Sequence, residues 1–188
     1  MHTKPRPAGG LRSGGVISAM VEDPLLDLPE PPAAPWKGRE DSIEEIRLCA
    51  DGRWLHQGQE ISHPRIVRAF HQGIEPWLGD DSFDYIIHMG DFRYPIVVED
   101  TAYSVEGLKI LETERIELLL NTGGTVSLDP STLYVGDNDV LYCLIFGKEH
   151  SARFRRGAYA KLWERIEELV GGGYALRLGN EQWPIGEG

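Results

Sequence analysis

Cysteine is scarce, with two in 188 residues, and Cys49 and Cys143 stand apart on strand-like segments without CxxC spacing. This excludes a disulfide framework and a thiolate zinc set, and it predicts two buried thiols in a reducing compartment. Clustered basic residues are also missing. The formal charge of −11 argues against nucleic acid or an anionic membrane as partner, because neutralising phosphates requires grouped Lys and Arg. One or two placed arginines can still hold a small anion. No apolar run reaches membrane-spanning length, and "GGVISAMVED" is too short and too glycine-rich for a signal-peptide core. A soluble cytoplasmic protein is therefore expected.

Recognised catalytic signatures are absent as well. There is no GxSxG, Walker A, GxGxxG or HExxH, and the glycine runs at 123–124 and 171–173 do not open a helix as a phosphate cradle must. His56, His63, His71 and His88 match no tight zinc spacing, since zinc sets fix two donors on one element. Neither a metal, a cofactor nor a reaction is expected. The stretch "DGRWLHQGQEISH", which gathers an Asp, two His and a Glu, reads as a β-hairpin with polar side chains and not as a metal site.

What is present is a core-sized apolar content, 41% of residues, unevenly distributed. Residues 1–37 hold most of the prolines and show no apolar period, which reads as a disordered tail. Met20, opening the acidic "MVEDPLLDLPEPP", would serve as a start equally well. From 38 onward the pattern becomes structured. "EIRLCADGRWLHQG" alternates Ile46, Leu48 and Ala50 before Asp51-Gly52, a dipeptide that suits a type I′ turn, and Trp54 and His56 share one face of the return strand. "ISHPRIVRAFHQGIEPW" predicts a helix with Ser62 or His63 as N-cap and Pro64 in its first turn, its apolar face formed by Ile66, Val67, Phe70, Ile74 and Trp77.

"FDYIIHM" and "FRYPIVVED" then read as strands around Gly90-Asp91, with Pro95 at a sheet edge or bulge. "AYSVEGLKIL" and "RIELLLNT" form a further hairpin, and "TVSLD", "TLYVG" and "VLYCLIFG" continue an antiparallel meander through turn-forming sequences. "SARFRRGAYAKLWERIEELVGGG" reads as one long helix from an N-cap at Ser151 to the glycines at 171, with Phe154, Ala158, Leu162, Ile166 and Leu169 on one face. "YALRLG" is one more strand. The expected class is α+β: an N-terminal hairpin-helix-strand part over 38–100, an antiparallel meander with a C-terminal capping helix over 101–180, and a frayed tail over 181–188.

"DGRWLHQGQEI", the helix after it, "IVVEDTAY", "IELLLNTGGTVSLDP" and "FRRGAYAKLWERIEEL" resemble, in order and spacing, the domain-of-unknown-function 1285 family of bacterial proteins. The resemblance covers about residues 46 to 170. It implies a two-part fold whose second part is pleckstrin-homology-like, a pocket at the junction suited to a nucleotide-like ligand, and a role in signal transduction. The chain departs from that family where "MGDFR" replaces a "TPVEK"-like segment and where Gly124 stands in place of an acidic residue.

Glu99 and Asp100 end the apolar "IVV" run and point to opposite faces, so one carboxylate turns toward the core or the junction and needs a cation. Arg155 and Arg93 are the candidate partners. Two readings follow. In one, Trp54, His56, Arg93, Glu99, Asp100, Asn121 and Arg155 line a small-molecule site between the two parts. In the other, they only lock the halves together, and an exposed edge or patch meets a protein partner.

Overall fold

The computed structural model describes residues 45–79, 83–112 and 114–188. The disordered tail expected over 1–37 lies outside the described residues. The class is α+β, dominated by strands, with two α-helices and three short 3-10 turns among the described residues.

The first sheet begins with β1 (Ile46–Leu48) and β2 (Trp54–His56), paired antiparallel with Leu48 opposite Trp54. Their connection is a three-residue loop and not the expected two-residue type I′ turn. Cys49 N donates to Arg53 O at 2.8 Å and Gly52 N to Cys49 O at 2.8 Å, with Gly52 at φ 88°. A type I turn closed by a glycine in the left-handed region satisfies this geometry. β3 (Gln59–Ile61) follows, then α1 (Pro64–Gln72), with Pro64 in its first turn and His63 at the N-cap without a side-chain bond.

Helix α1 is shorter than its apolar period suggested. The carbonyl of Gly73 accepts His88 N at 2.7 Å, and Trp77 N donates to Asp84 O at 2.8 Å, so sheet bonds replace the helical ones. Ile74 therefore lies on strand β4 (Ile74–Pro76), and Trp77 follows that strand outside the helix. β5 (Tyr85–Met89) and β6 (Phe92–Val98) form the hairpin around Gly90-Asp91. The order is β3-β2-β1-β6-β5-β4, with β1 and β6 parallel from Ile46↔Ile96 onward. Pro95 falls one residue before that pairing begins, where its missing N–H costs no ladder bond.

The second sheet comprises β7 (Tyr103–Ile110), β8 (Ile116–Leu120), β9 (Thr125–Ser127), β10 (Tyr134–Gly136), β11 (Val140–Ile145) and β12 (His150–Phe154). Period-2 burial explains these strands: Ile116, Leu118 and Leu120 point inward while Leu119 is exposed. The expected meander is not purely antiparallel, because β12 returns alongside β7 in parallel, Ala152 opposite Tyr103.

The expected long C-terminal helix is replaced by β12, α2 (Arg156–Trp163) and β13 (Ile166–Glu168). Ala152 and Phe154 are buried as alternate strand residues, a period that the helical reading of the same apolar set concealed. Arg177 N donates to Arg165 O at 2.8 Å, so sheet pairing takes over just past the helix. β14 (Tyr174–Leu178) is the expected strand, but 181–188 is no frayed tail. β15 (Glu181–Pro184) pairs with β14, and β16 (Gly186–Glu187) joins the edge of the second sheet in parallel with β10. That sheet is ordered β16-β10-β11-β12-β7-β8-β9, and β13-β14-β15 form a third.

One continuous core runs through both parts. Trp54, Phe70, Ile87 and Ile96 from the first meet Val105, Leu118, Cys143 and Phe154 from the second, with Ala158 and Leu162 of α2 covering β7. Each fully buried large side chain contributes on the order of 2–3 kcal/mol. The two parts therefore share their hydrophobic stabilisation. No helix among the described residues is long and apolar enough to cross a membrane.

Candidate functional site

Loop 49–52 of the first part and the start of α2 in the second meet at the junction. β12 alternates, so Ser151, Arg153 and then Arg155 project opposite to the buried Ala152 and Phe154. Both arginines reach the same backbone carbonyl: Arg153 Nη1 donates to Ala50 O at 2.9 Å and Arg155 Nη1 to it at 3.4 Å. The Ala50 amide donates to Glu99 Oε2 at 3.1 Å. Glu99 thus ties the loop to the end of β6, with Arg47 at 3.5 Å from its other oxygen.

Asp100 is the carboxylate that faces across. It accepts from Arg153 Nη1 at 2.8 Å and from the Tyr142 hydroxyl at 3.2 Å. Burial, reinforced by the Asp100 charge, holds the Tyr142 phenol above its ordinary range, so it remains a donor. Arg155 does not pair with Glu99 or Asp100 as expected. Its guanidinium packs against Gly52, where an added Cβ would overlap it, and its Nε lies 3.7 Å from Glu106. Glu106 is placed there by a bulge between Val105 and Gly107, and it accepts a 2.7 Å bond from the buried Ser104 hydroxyl.

Of the other residues expected in a site, Asn121 is a turn lock: its side chain accepts from Ser104 N at 3.1 Å and donates to Ala102 O at 3.0 Å. Arg93 lies opposite His88 near the far end of β6, about 20 Å of strand from Asp100, and is no part of the junction. Trp54 is a core residue, fully buried, edge-on to Phe70 at 5.2 Å and 5.5 Å from His71. Its Nε1 and the Nε2 atoms of His56 and His71 are buried without a hydrogen-bond partner. Burial holds the His71 imidazole below its ordinary range, against the opposing pull of Glu106.

Beside the Asp100–Arg153 contact the surface opens into a cleft of about 500 Å³. Its lining includes Ala50, Asp100 and Thr101 from the loop and the end of the first part, and Tyr134, Asp137, Tyr142, Ser151 and Arg153 from the second. The Tyr134 and Tyr142 rings stack at 5.3 Å and 15°, and the Tyr134 hydroxyl bonds Ser151 Oγ at 2.9 Å. The volume falls within the range of small-molecule sites. A second cavity, about 240 Å³ around Arg165 and Arg177, is spanned by the Arg165–Glu114 and Arg177–Glu167 ion pairs. Among the described residues no group of three His, Cys, Asp or Glu side chains could hold a metal ion.

Of the residues lining this cleft the sequence reading named Asp100, and it did not name Arg153, Tyr134, Tyr142, Asp137 or Ser151. The signal for Arg153 was present in the alternation of "HSARFR", which puts 151, 153 and 155 on one strand face. The tyrosines required cross-strand register, which no local pattern carries.

Two solved structures are similar to this chain. A DUF1285 family protein from Silicibacter pomeroyi DSS-3 aligns with a TM-score of 0.55 and 15% identity, covering 75% of this chain and 79% of that one. A DUF1285 family protein from Shewanella baltica OS155 aligns with a TM-score of 0.49 and 13% identity, covering 65% and 92%. No protein-family model matches the chain, and no curated protein does. The first likeness bears out the resemblance read from the sequence: the chain shares the fold of that DUF1285 protein.

Proposed function

We propose that this chain is a cytosolic ligand-binding protein without a reaction of its own, taking a small hydrophilic molecule in the cleft beside Asp100 and Arg153. One observation carries the reading: the junction places a guanidinium, two carboxylates and four hydroxyl side chains around an opening of about 500 Å³. A nucleotide-like ligand and a signalling role are what the resemblance to the DUF1285 family implies. Six successive strands followed by α2 support viewing the second part as pleckstrin-homology-like. Ligand binding would bridge the two parts, since Asp100 belongs to one and Arg153 to the other.

A thermal-shift screen of nucleotides, nucleosides and other small polar metabolites tests this reading. A ligand binding only the folded state, at 100 times its dissociation constant, adds about 2.7 kcal/mol. The expected result is a hit whose shift disappears in Arg153→Ala. A hit that persists undiminished in that variant moves the site elsewhere, and a screen without hits removes the proposal.

A second reading, a protein-interaction module, is favoured by one feature. Tyr159, Trp163 and Tyr174 form a ring ladder with centroids 5.5 and 5.4 Å apart, and Trp163 and Tyr174 are 43% and 44% exposed. Exposed aromatic rings of this kind are enriched at interfaces. Loss of a captured protein partner in Trp163→Ala, with cleft variants unaffected, would select that reading over the first.

A further inference from the structure

Resting on the cleft reading above, we infer that the part of the ligand seated in the cleft is an uncharged, polyhydroxylated group, a sugar ring or the ribose of a nucleoside, and not a phosphate. Two independent features lead there. The first is the ring row across the second sheet. Gly186 stands opposite Tyr134, Tyr134 opposite Tyr142, Tyr142 opposite Arg153 and Arg153 opposite Ser104. Tyr134 therefore lies between β16 and the Tyr142 ring, and Gly188 approaches it so closely that an added Cβ would come within 2.6 Å. Tyr142 lies between Tyr134 and the Arg153 position. The stack takes one face of each ring and Gly188 crowds Tyr134, which reduces the aromatic platform left for a planar base. What the row offers the cleft is its hydroxyl edge: Tyr134 Oη with Ser151 Oγ, and Tyr142 Oη with Asp100.

The second feature is the balance of charge. The ionised side chains lining the cleft are Asp100, Asp137 and Arg153, two carboxylates against one guanidinium. The charge of that guanidinium is already opposed by Asp100, and its Nη1 serves both Asp100 and the Ala50 carbonyl. A phosphate entering this opening meets a net negative lining on a chain of formal charge −11 and gains no unopposed cation. A polyol meets complementary groups. Each sugar hydroxyl can donate to a carboxylate oxygen of Asp137 or Asp100 and accept from a tyrosine or serine hydroxyl, the use that an acidic residue makes of a ribose hydroxyl in dinucleotide sites.

Isothermal titration of the full chain with four probes, D-ribose, adenosine, AMP and inorganic phosphate, tests the assignment at low and at physiological salt. Adenosine should bind, AMP no more tightly than adenosine, phosphate not at all, and the affinities should be insensitive to salt. Tyr134→Phe, which keeps the ring row and removes only the hydroxyl, and Asp137→Asn should each weaken adenosine binding by tenfold or more. AMP binding tenfold tighter than adenosine, or phosphate binding that strengthens at low salt and is lost in Arg153→Ala, overturns the inference and leaves the cleft a ligand site. Adenosine binding unchanged in both variants also overturns it. Silence from all four probes overturns the inference, and the wider metabolite screen then decides the cleft reading separately.

Discussion

Asp100 and Arg153 meet at 2.8 Å across the junction, and the nitrogen that makes this contact also holds the Ala50 carbonyl at 2.9 Å. Both side chains are more than two-thirds shielded, with exposures of 22% and 26%. The pair is thus neither a surface ion pair nor a dry one, and removing the arginine leaves a shielded carboxylate whose remaining side-chain donor among the described residues is the Tyr142 phenol.

Arg153→Ala should lower stability by about 2 kcal/mol, the scale of a charge-assisted bond lost from a shielded site. Arg155→Ala should cost under about 1 kcal/mol, because its polar contacts are long, 3.4 and 3.7 Å, and its partner Glu106 is 44% exposed. Urea midpoints of the two variants check the order; equal losses would contradict the assignment of Arg153 as the principal link.

Gly52 sits at φ 88° with the Arg155 guanidinium where its side chain would go. Gly52→Ala should cost about 2 kcal/mol in the wild-type background and about 1 kcal/mol in Arg155→Ala, where only the backbone strain remains. A double-mutant cycle reads the coupling. Additive losses would mean that the arginine is displaced without consequence.

Cys143 is fully buried in the second sheet, and burial pushes its thiol up to about 12. At pH 8 it should remain unmodified by iodoacetamide while the protein is folded and react once urea unfolds the chain. Peptide mapping of alkylated native protein checks this, and rapid labelling of Cys143 in the folded state would refute the packing around β11.

Burial lowers the His71 pKa below its ordinary value near 6.5. The unfolded chain therefore binds more protons than the folded one as pH falls below about 6.5, and stability declines with acid from there through the lower folded pKa. Relative to wild type, His71→Gln should show a shallower loss of melting temperature between pH 7 and 5. Parallel curves would assign the acid sensitivity to other groups.

Local turn chemistry made much of the fold legible. Gly90-Asp91, the closure of Leu111 N onto Arg115 O after Ile110 and the run from "TGG" to "DND" each divide strands where the sequence placed them. Misreadings arose where one apolar set satisfied two periods. Phe154, Ala158, Leu162 and Ile166 fit a helix face, yet Phe154 and Ile166 belong to strands and only Ala158 and Leu162 to α2. Tertiary hydrogen bonds decided between the periods: Arg155 N gives its bond to Val105 O and Arg177 N gives its bond to Arg165 O. The site was partly legible for the same reason. Asp100 announced itself as a charge ending an apolar strand, whereas its partner on β12 was hidden inside a supposed helix, and the Tyr134–Tyr142 stack depends on register alone.

The parallel pairings have a kinetic meaning. Ile46 must find Ile96, and Tyr103 must find Ala152, each closing about fifty residues of chain at an entropic cost of more than about 3 kcal/mol before neighbouring contacts repay it. Hairpins such as β5–β6 can zip early, in microseconds, but loop 49–52 cannot receive Arg153 until both closures are made. Refolding should therefore be slow, milliseconds to seconds, and the cleft should be the last feature to assemble, so that a ligand for it would be recognised only by chains that have finished folding.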